Sequence, residues 1–106
     1  MNNEQVRVYV KVHEYSGERI IAICDEELLG KNIVDEEKGI KFYVDPYFYK
    51  GELLSITQAI TLLKRASIAN LVGKNIVNAA KNNGLIHEDA ILYIKDIPHA
   101  QFTILY

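Results

Sequence analysis

The residues best suited to chemistry are Lys64, Arg65, Lys74 and Lys81, because the stretch 55–84 that holds them contains no aspartate or glutamate. Residues 1–54 carry seven Lys or Arg against eleven Asp or Glu, a net of −4, while residues 55–84 carry +4 and residues 85–106 carry −2. The overall charge of −2 therefore hides a basic segment between two acidic ones. Asn70, Lys74, Asn78 and Lys81 recur at three- and four-residue steps, so a helix gathers them on one face whose ammonium and amide groups suit phosphates. The plain alternative is the solvated side of an amphipathic helix, balanced by acids on neighbouring strands. Four cations on a chain of pI ≈ 5.9 fall short of an autonomous high-affinity nucleic-acid binder. Contact with RNA or a ribosome-associated protein inside a larger assembly fits that balance better.

Three further groupings could do chemistry. Asp25, Glu26 and Glu27 could hold magnesium or supply a base, yet capping and helix-dipole effects at the start of a helical turn explain them equally. Cys24 has no histidine beside it, and an adjoining carboxylate raises a thiol pKa, so it reads as structural. In Pro98-His99-Ala100-Gln101, an imidazole and an amide are expected at a turn, where they either bind or bond local backbone. An enzyme with Asp25 or Glu26 and His99 converging in one cleft as acid/base or metal groups is thus the alternative to a binding module. The aromatic run Tyr47-Phe48-Tyr49 is expected to expose one ring for stacking and to bury at least one other, with Tyr49 the chosen contact. That loop, or an open sheet edge, could also serve a protein-interaction adaptor or homodimer. No phosphate-loop, dinucleotide-binding, nucleophile-elbow or metalloprotease motif occurs, and one cysteine with three scattered histidines gives no metal-ligand spacing. Neither cofactor nor metal is expected.

The elements that must position these groups follow from periodicity. Val6, Val8, Val10 and Val12 alternate with polar residues, a strand with one buried face; the turn 15–18 and the apolar run 19–24 complete a hairpin. Residues 25–31 read as one helical turn capped by Asp25, and Ile40, Phe42 and Val44 mark a third strand ended by Pro46. Ser55 and Gln58 make a capping-box pair, so a helix begins at Ile56 and buries Ile56, Ala59, Ile60 and Leu63. Periodicity resumes from Ile68 through Ala80 to a stop at Gly84. A single helix over 56–83 would run about 42 Å, too long for a domain with a radius of gyration of about 13 Å, so a break is placed near Ala66-Ser67. Ala59, Ala66, Gly73 and Ala80, seven residues apart, form a small-residue seam for close packing. Residues 90–94 and 102–106 read as closing strands.

The expected fold class is α+β: a small mixed or antiparallel sheet with two main helices on one face, in the order strands, helices, strands. At 106 residues, with 49% hydrophobic and 25% charged, the chain fits one domain, 1–106, and not a disordered or fibrous class. No apolar run approaches the roughly 20 residues that cross a bilayer, and the first residues lack a signal-peptide pattern, so a cytoplasmic protein without a membrane partner is expected.

Several segments, in order, carry a family resemblance: Cys24-Asp25-Glu26-Glu27-Leu28-Leu29-Gly30-Lys31, Phe48-Tyr49-Lys50-Gly51-Glu52, Ala66 with Ala69-Asn70-Leu71-Val72-Gly73, Gly84-Leu85-Ile86, and Pro98-His99-Ala100-Gln101. Over nearly its whole length the chain resembles the archaeal domain-of-unknown-function family numbered 424. The resemblance implies an archaeal cytoplasmic α+β protein and carries no reaction, ligand or catalytic residue. Its members keep company with translation genes, an association that adds modest weight to the RNA reading.

Overall fold

The computed structural model describes residues 6–103. Strand β1 (Arg7–Tyr15) and β2 (Glu18–Asp25) form the expected hairpin, with Tyr15 opposite Glu18. Its two turn residues, Ser16 and Gly17, both have positive φ (49° and 81°), the geometry whose twist matches the flanking strands. A 3₁₀ turn at Glu26–Leu28 leads to β3 (Asn32–Asp35), which the sequence reading missed and which pairs with β4 (Ile40–Tyr43). Helix α1 (Pro46–Tyr49) follows, capped by the Asp45 carboxylate, which accepts from Tyr47 N at 2.9 Å. Next come β5 (Glu52–Ser55) and α2 (Ile56–Leu63), whose capping box is present in both directions: Ser55 Oγ accepts from Gln58 N, and Gln58 Oε1 accepts from Ser55 N.

The expected second helix is overturned along half its length. Ile68–Val72 is strand β6, and α3 runs only from Lys74 to Asn82. The seam of small residues dissolves with it, since Ala66 lies in the α2–β6 connection and Gly73 precedes α3 at a positive φ of 120°. Strands β7 (Leu92–Ile94) and β8 (Ile97–Thr103) close the fold as a hairpin, so Pro98, His99, Ala100 and Gln101 lie within a strand and not at a turn. Of the closing strand expected at 102–106, residues 104–106 lie outside the described residues.

The main sheet has the order β5-β1-β2-β6-β8-β7, with β2 and β6 parallel and every other neighbour antiparallel. The α+β class holds, with a mixed sheet and a strand interposed between the two main helices. Alternation along the strands divides the core in two. Val8, Val10, Ile21, Ile23, Ala69 and Leu71 meet α2 and α3 through Ile60, Leu63, Ile76 and Val77. On the opposite face Ala22, Cys24, Val72 and Ile94 are covered by Leu28 of the 3₁₀ turn, Ile33 of β3, Val44 just past β4 and Tyr49 of α1. Fully buried residues such as Leu63, Leu71 and Ile76 each contribute about 1.5–3 kcal/mol from apolar burial. The radius of gyration is 13.1 Å. Among the described residues no helix is long and apolar enough to cross a membrane.

Candidate functional site

The sheet separates the expected site residues into two sets. Lys64, Arg65, Lys74, Asn78 and Lys81 belong to α2, its end and α3, on one side; Tyr49, Asn70, His99 and Gln101 gather on the other. Asn70 is therefore not on the basic helix. It sits on β6 in one row across the sheet with Lys11, Ala22 and Gln101. There its Oδ1 accepts the Tyr49 hydroxyl at 2.5 Å.

Tyr49, expected as a surface contact, is 2% exposed, because α1 turns its last ring onto the sheet. The exposed ring is Tyr47, at 85%, with the Lys11 ammonium 5.3 Å from its centroid, and Phe48 stacks on His13. Replacing Tyr49 by phenylalanine should cost about 1 kcal/mol in urea unfolding, since Asn70 is half-buried and can recruit water in place of the hydroxyl. An unchanged midpoint would show that this hydrogen bond is not needed for stability. Gln101 is exposed, whereas His99 is half-buried, its Nδ1 2.8 Å from Leu71 O and its ring against Phe42 at 4.6 Å. Burial pushes the His99 pKa below the usual imidazole range, against the opposing effect of the Leu71 carbonyl.

The proposed convergence of Asp25 with His99 does not occur, and Glu26 instead pairs with Arg7 of β1 at 3.5 Å. Strand alternation sends Asp25 to the helix side and His99 to the small-hairpin side. Nor does Asp25 cap its own turn, as the sequence suggested. Its carboxylate reaches across the sheet end to α3, accepting Asn75 N at 2.8 Å through Oδ2 and Ile76 N at 3.0 Å through Oδ1. Burial dominates and raises the Asp25 pKa to about 6, with those two N–H groups pulling it down and Glu27 adding a smaller upward push. Cys24 is fully buried, and desolvation, with Asp25 second, pushes its thiol up to about 12, which removes it as a nucleophile. Among the described residues no group of three or more His, Cys, Asp or Glu is placed to hold a metal ion.

What the helices present is more coherent. Ile76, Val77 and Ala80 bury one side of α3, which turns Asn75, Asn78 and Asn82 outward as a stripe with Lys74 and Lys81 on one flank. On the other flank α2 contributes Thr57, Thr61 and, just beyond its last turn, Lys64. Two adjoining hollows of about 220 and 330 Å³ share Ile56, Ala79 and Asn82, and so form one groove along the α2–α3 seam. Among the described residues no carboxylate lines it. Among the same residues the side-chain amides of Asn75, Asn78 and Asn82 have no protein partner. Of this stripe the sequence pattern yields Asn78 but not Asn75 and Asn82, because a helix begun at Ile68 puts Asn70 in the row with Asn78 instead. Lys74 and Lys81 are not unpaired, for they meet Asp96 and Glu88, each at 3.4 Å. Both pairs are solvent-exposed, so each contributes at most about 1 kcal/mol and yields readily to another anion. A larger hollow of about 520 Å³ lies elsewhere, at the β3–β4 turn, lined by Asp35, Glu36, Glu37, Lys38 and Lys95; its mixed charges define no ligand.

Residues 13–105 match the model of the family described as "Protein of unknown function (DUF424)". The chain belongs to this family. A crystal structure described as "an uncharacterized conserved protein from Methanopyrus kandleri" is similar to it, with 27% identity, a TM-score of 0.79, and coverage of 93% of this chain and 92% of that one. No curated protein matches the sequence. The likeness to that solved structure supports the fold, and neither comparison assigns a function.

Proposed function

We propose that the protein is a non-enzymatic binding module that docks RNA within a cytoplasmic ribonucleoprotein assembly, and that the α2–α3 groove is the docking surface. The observation that carries this reading is the groove's lining: amides, hydroxyls and ammonium groups, with no carboxylate among the described residues. Phosphate and sugar contacts are made by such groups, and one missing acid matters as much as one added lysine when the ligand is a polyanion. The acidic remainder of the chain limits non-specific attraction and sets the affinity low, as befits one contact among several.

The test is fluorescence anisotropy with labelled RNA at about 50 and about 200 mM salt, where phosphate contacts make affinity fall steeply. Lys64→Glu with Lys74→Glu should weaken binding at least about tenfold and reduce the salt slope by about one for each phosphate that the lysines no longer neutralise. The fold should survive, because both lysines are exposed. Absence of binding at low salt, or indifference to the double substitution, rejects the reading.

A further inference from the structure

Resting on that reading, we propose that the α2–α3 groove takes double-stranded RNA, read without regard to sequence through the 2′-hydroxyls and phosphates of its minor groove. Three observations lead there. First, residues 55–84 contain no aromatic residue and no histidine. Single-stranded RNA is held by bases stacked on such rings or on arginine guanidinium planes, and Arg65, the one arginine of this segment, is not among the residues that line the groove, so the groove offers no platform for splayed bases. The exposed tyrosines, Tyr15, Tyr43, Tyr47 and Tyr93, all lie on strands or on α1.

Second, the stripe Asn75, Asn78 and Asn82 is built to meet groups that both donate and accept. A side-chain amide offers two N–H donors and a carbonyl acceptor, and a 2′-hydroxyl is a donor and an acceptor in its turn. Among the described residues these three amides have no competing partner. Seven residues of helix separate the first from the last, about 10 Å, enough to address successive sugars along a strand. The minor groove of A-form RNA is wide and shallow and displays those hydroxyls, whereas the major groove is too deep and narrow for a helix surface to enter.

Third, the start of α3 is closed to phosphate. Asp25 already occupies the N–H groups of Asn75 and Ile76, so the helix terminus presents a carboxylate where an anion would otherwise bind. Phosphates must then fall to the flanks, where Lys74 stands on one side and Lys64 on the other. Amides at the centre and cations at both edges match a shallow groove that displays 2′-hydroxyls between two phosphate backbones.

The experiment compares three probes of one sequence under one low-salt condition: an RNA duplex of about 20 base pairs, its single strand, and the DNA duplex. The RNA duplex should bind at least about tenfold more tightly than either of the others. Replacing Asn75, Asn78 and Asn82 together by alanine should bring RNA and DNA duplexes to equal affinity, while Lys64→Glu with Lys74→Glu should weaken both alike. Alanine favours helix, and circular dichroism of the triple variant verifies that α3 is retained. A single strand that binds as tightly as the RNA duplex overturns this inference and leaves the docking reading standing. Equal affinity for RNA and DNA duplexes in the unaltered protein also overturns it, as does a preference that survives removal of the three amides. If no RNA binds at low salt, both fall.

Discussion

Gly73→Ala should destabilise the protein by about 2–6 kcal/mol, because two costs combine at one position. Gly73 has φ 120°, a backbone conformation that strains any residue with a Cβ by about 1–3 kcal/mol. The new Cβ would also lie 2.3 Å from Asp25 Cγ and 2.6 Å from Oδ2, and overpacking at a rigid site adds about 1–3 kcal/mol. The carboxylate cannot swing away, because both its oxygens are held by α3. Urea unfolding measures the loss, and a change smaller than about 1 kcal/mol would mean that the strand-to-helix junction relaxes freely. The substitution should also be non-additive. In an Asp25→Ala background the carboxyl group is gone, so adding Gly73→Ala should cost about 1–2 kcal/mol less than it does alone.

That junction is also where the sequence was hardest to read. The β1–β2 hairpin and the α2 capping box were legible because each rests on local chemistry: alternating valines, two turn residues, and a Ser55–Gln58 exchange within one turn. Strand β6 was not, because it lies between β2 and β8 with both faces covered, so Ala69, Leu71 and Val72 are all fully buried and show no alternation. Ile68, Leu71, Val72 and Ile76 then fit helical spacing by coincidence, and Gly73, which falls in the seven-residue series of small residues, is the break itself. Pro98 misled in the same way. It reads as a turn residue, yet it lies in β8 beyond the last residue paired with β6, where its carbonyl accepts Gly73 N at 3.0 Å and helps fix the start of α3.

The charge split was legible in the composition of residues 55–84, but the site it makes was only half so. Lysines and Asn78 could be placed on a helical face from spacing alone. That this face adjoins Thr57, Thr61 and Lys64 depends on α2 and α3 packing side by side on the sheet, a long-range fact that no window of sequence contains. Asn70 and His99 lay beyond prediction for the same reason: a strand misread as a helix or a turn gives each side chain a different set of neighbours.

Asp25→Ala should cost about 2–4 kcal/mol, because two N–H groups of the first turn of α3 lose their only acceptor where water has little access. The pH dependence of Asp25 then distinguishes what the carboxylate contributes from what its charge contributes. An ordinary aspartate titrates near 3.8, and burial raises Asp25 to about 6 in the fold despite its two N–H donors. The native protein therefore binds this proton at a higher pH than the unfolded chain does. Its contribution to stability is fully present below about 4 and is lost as pH rises through about 6, opposite in sign to a salt-bridged carboxylate. Asp25→Asn keeps an acceptor for one N–H and removes the titration. Between pH 4 and pH 7 the wild-type protein should accordingly lose about 1–3 kcal/mol relative to Asp25→Asn, read as the difference between their unfolding free energies. A difference that moves the other way would show the two N–H bonds and the helix dipole outweighing burial, and Asp25 would then be an ionised cap throughout this range.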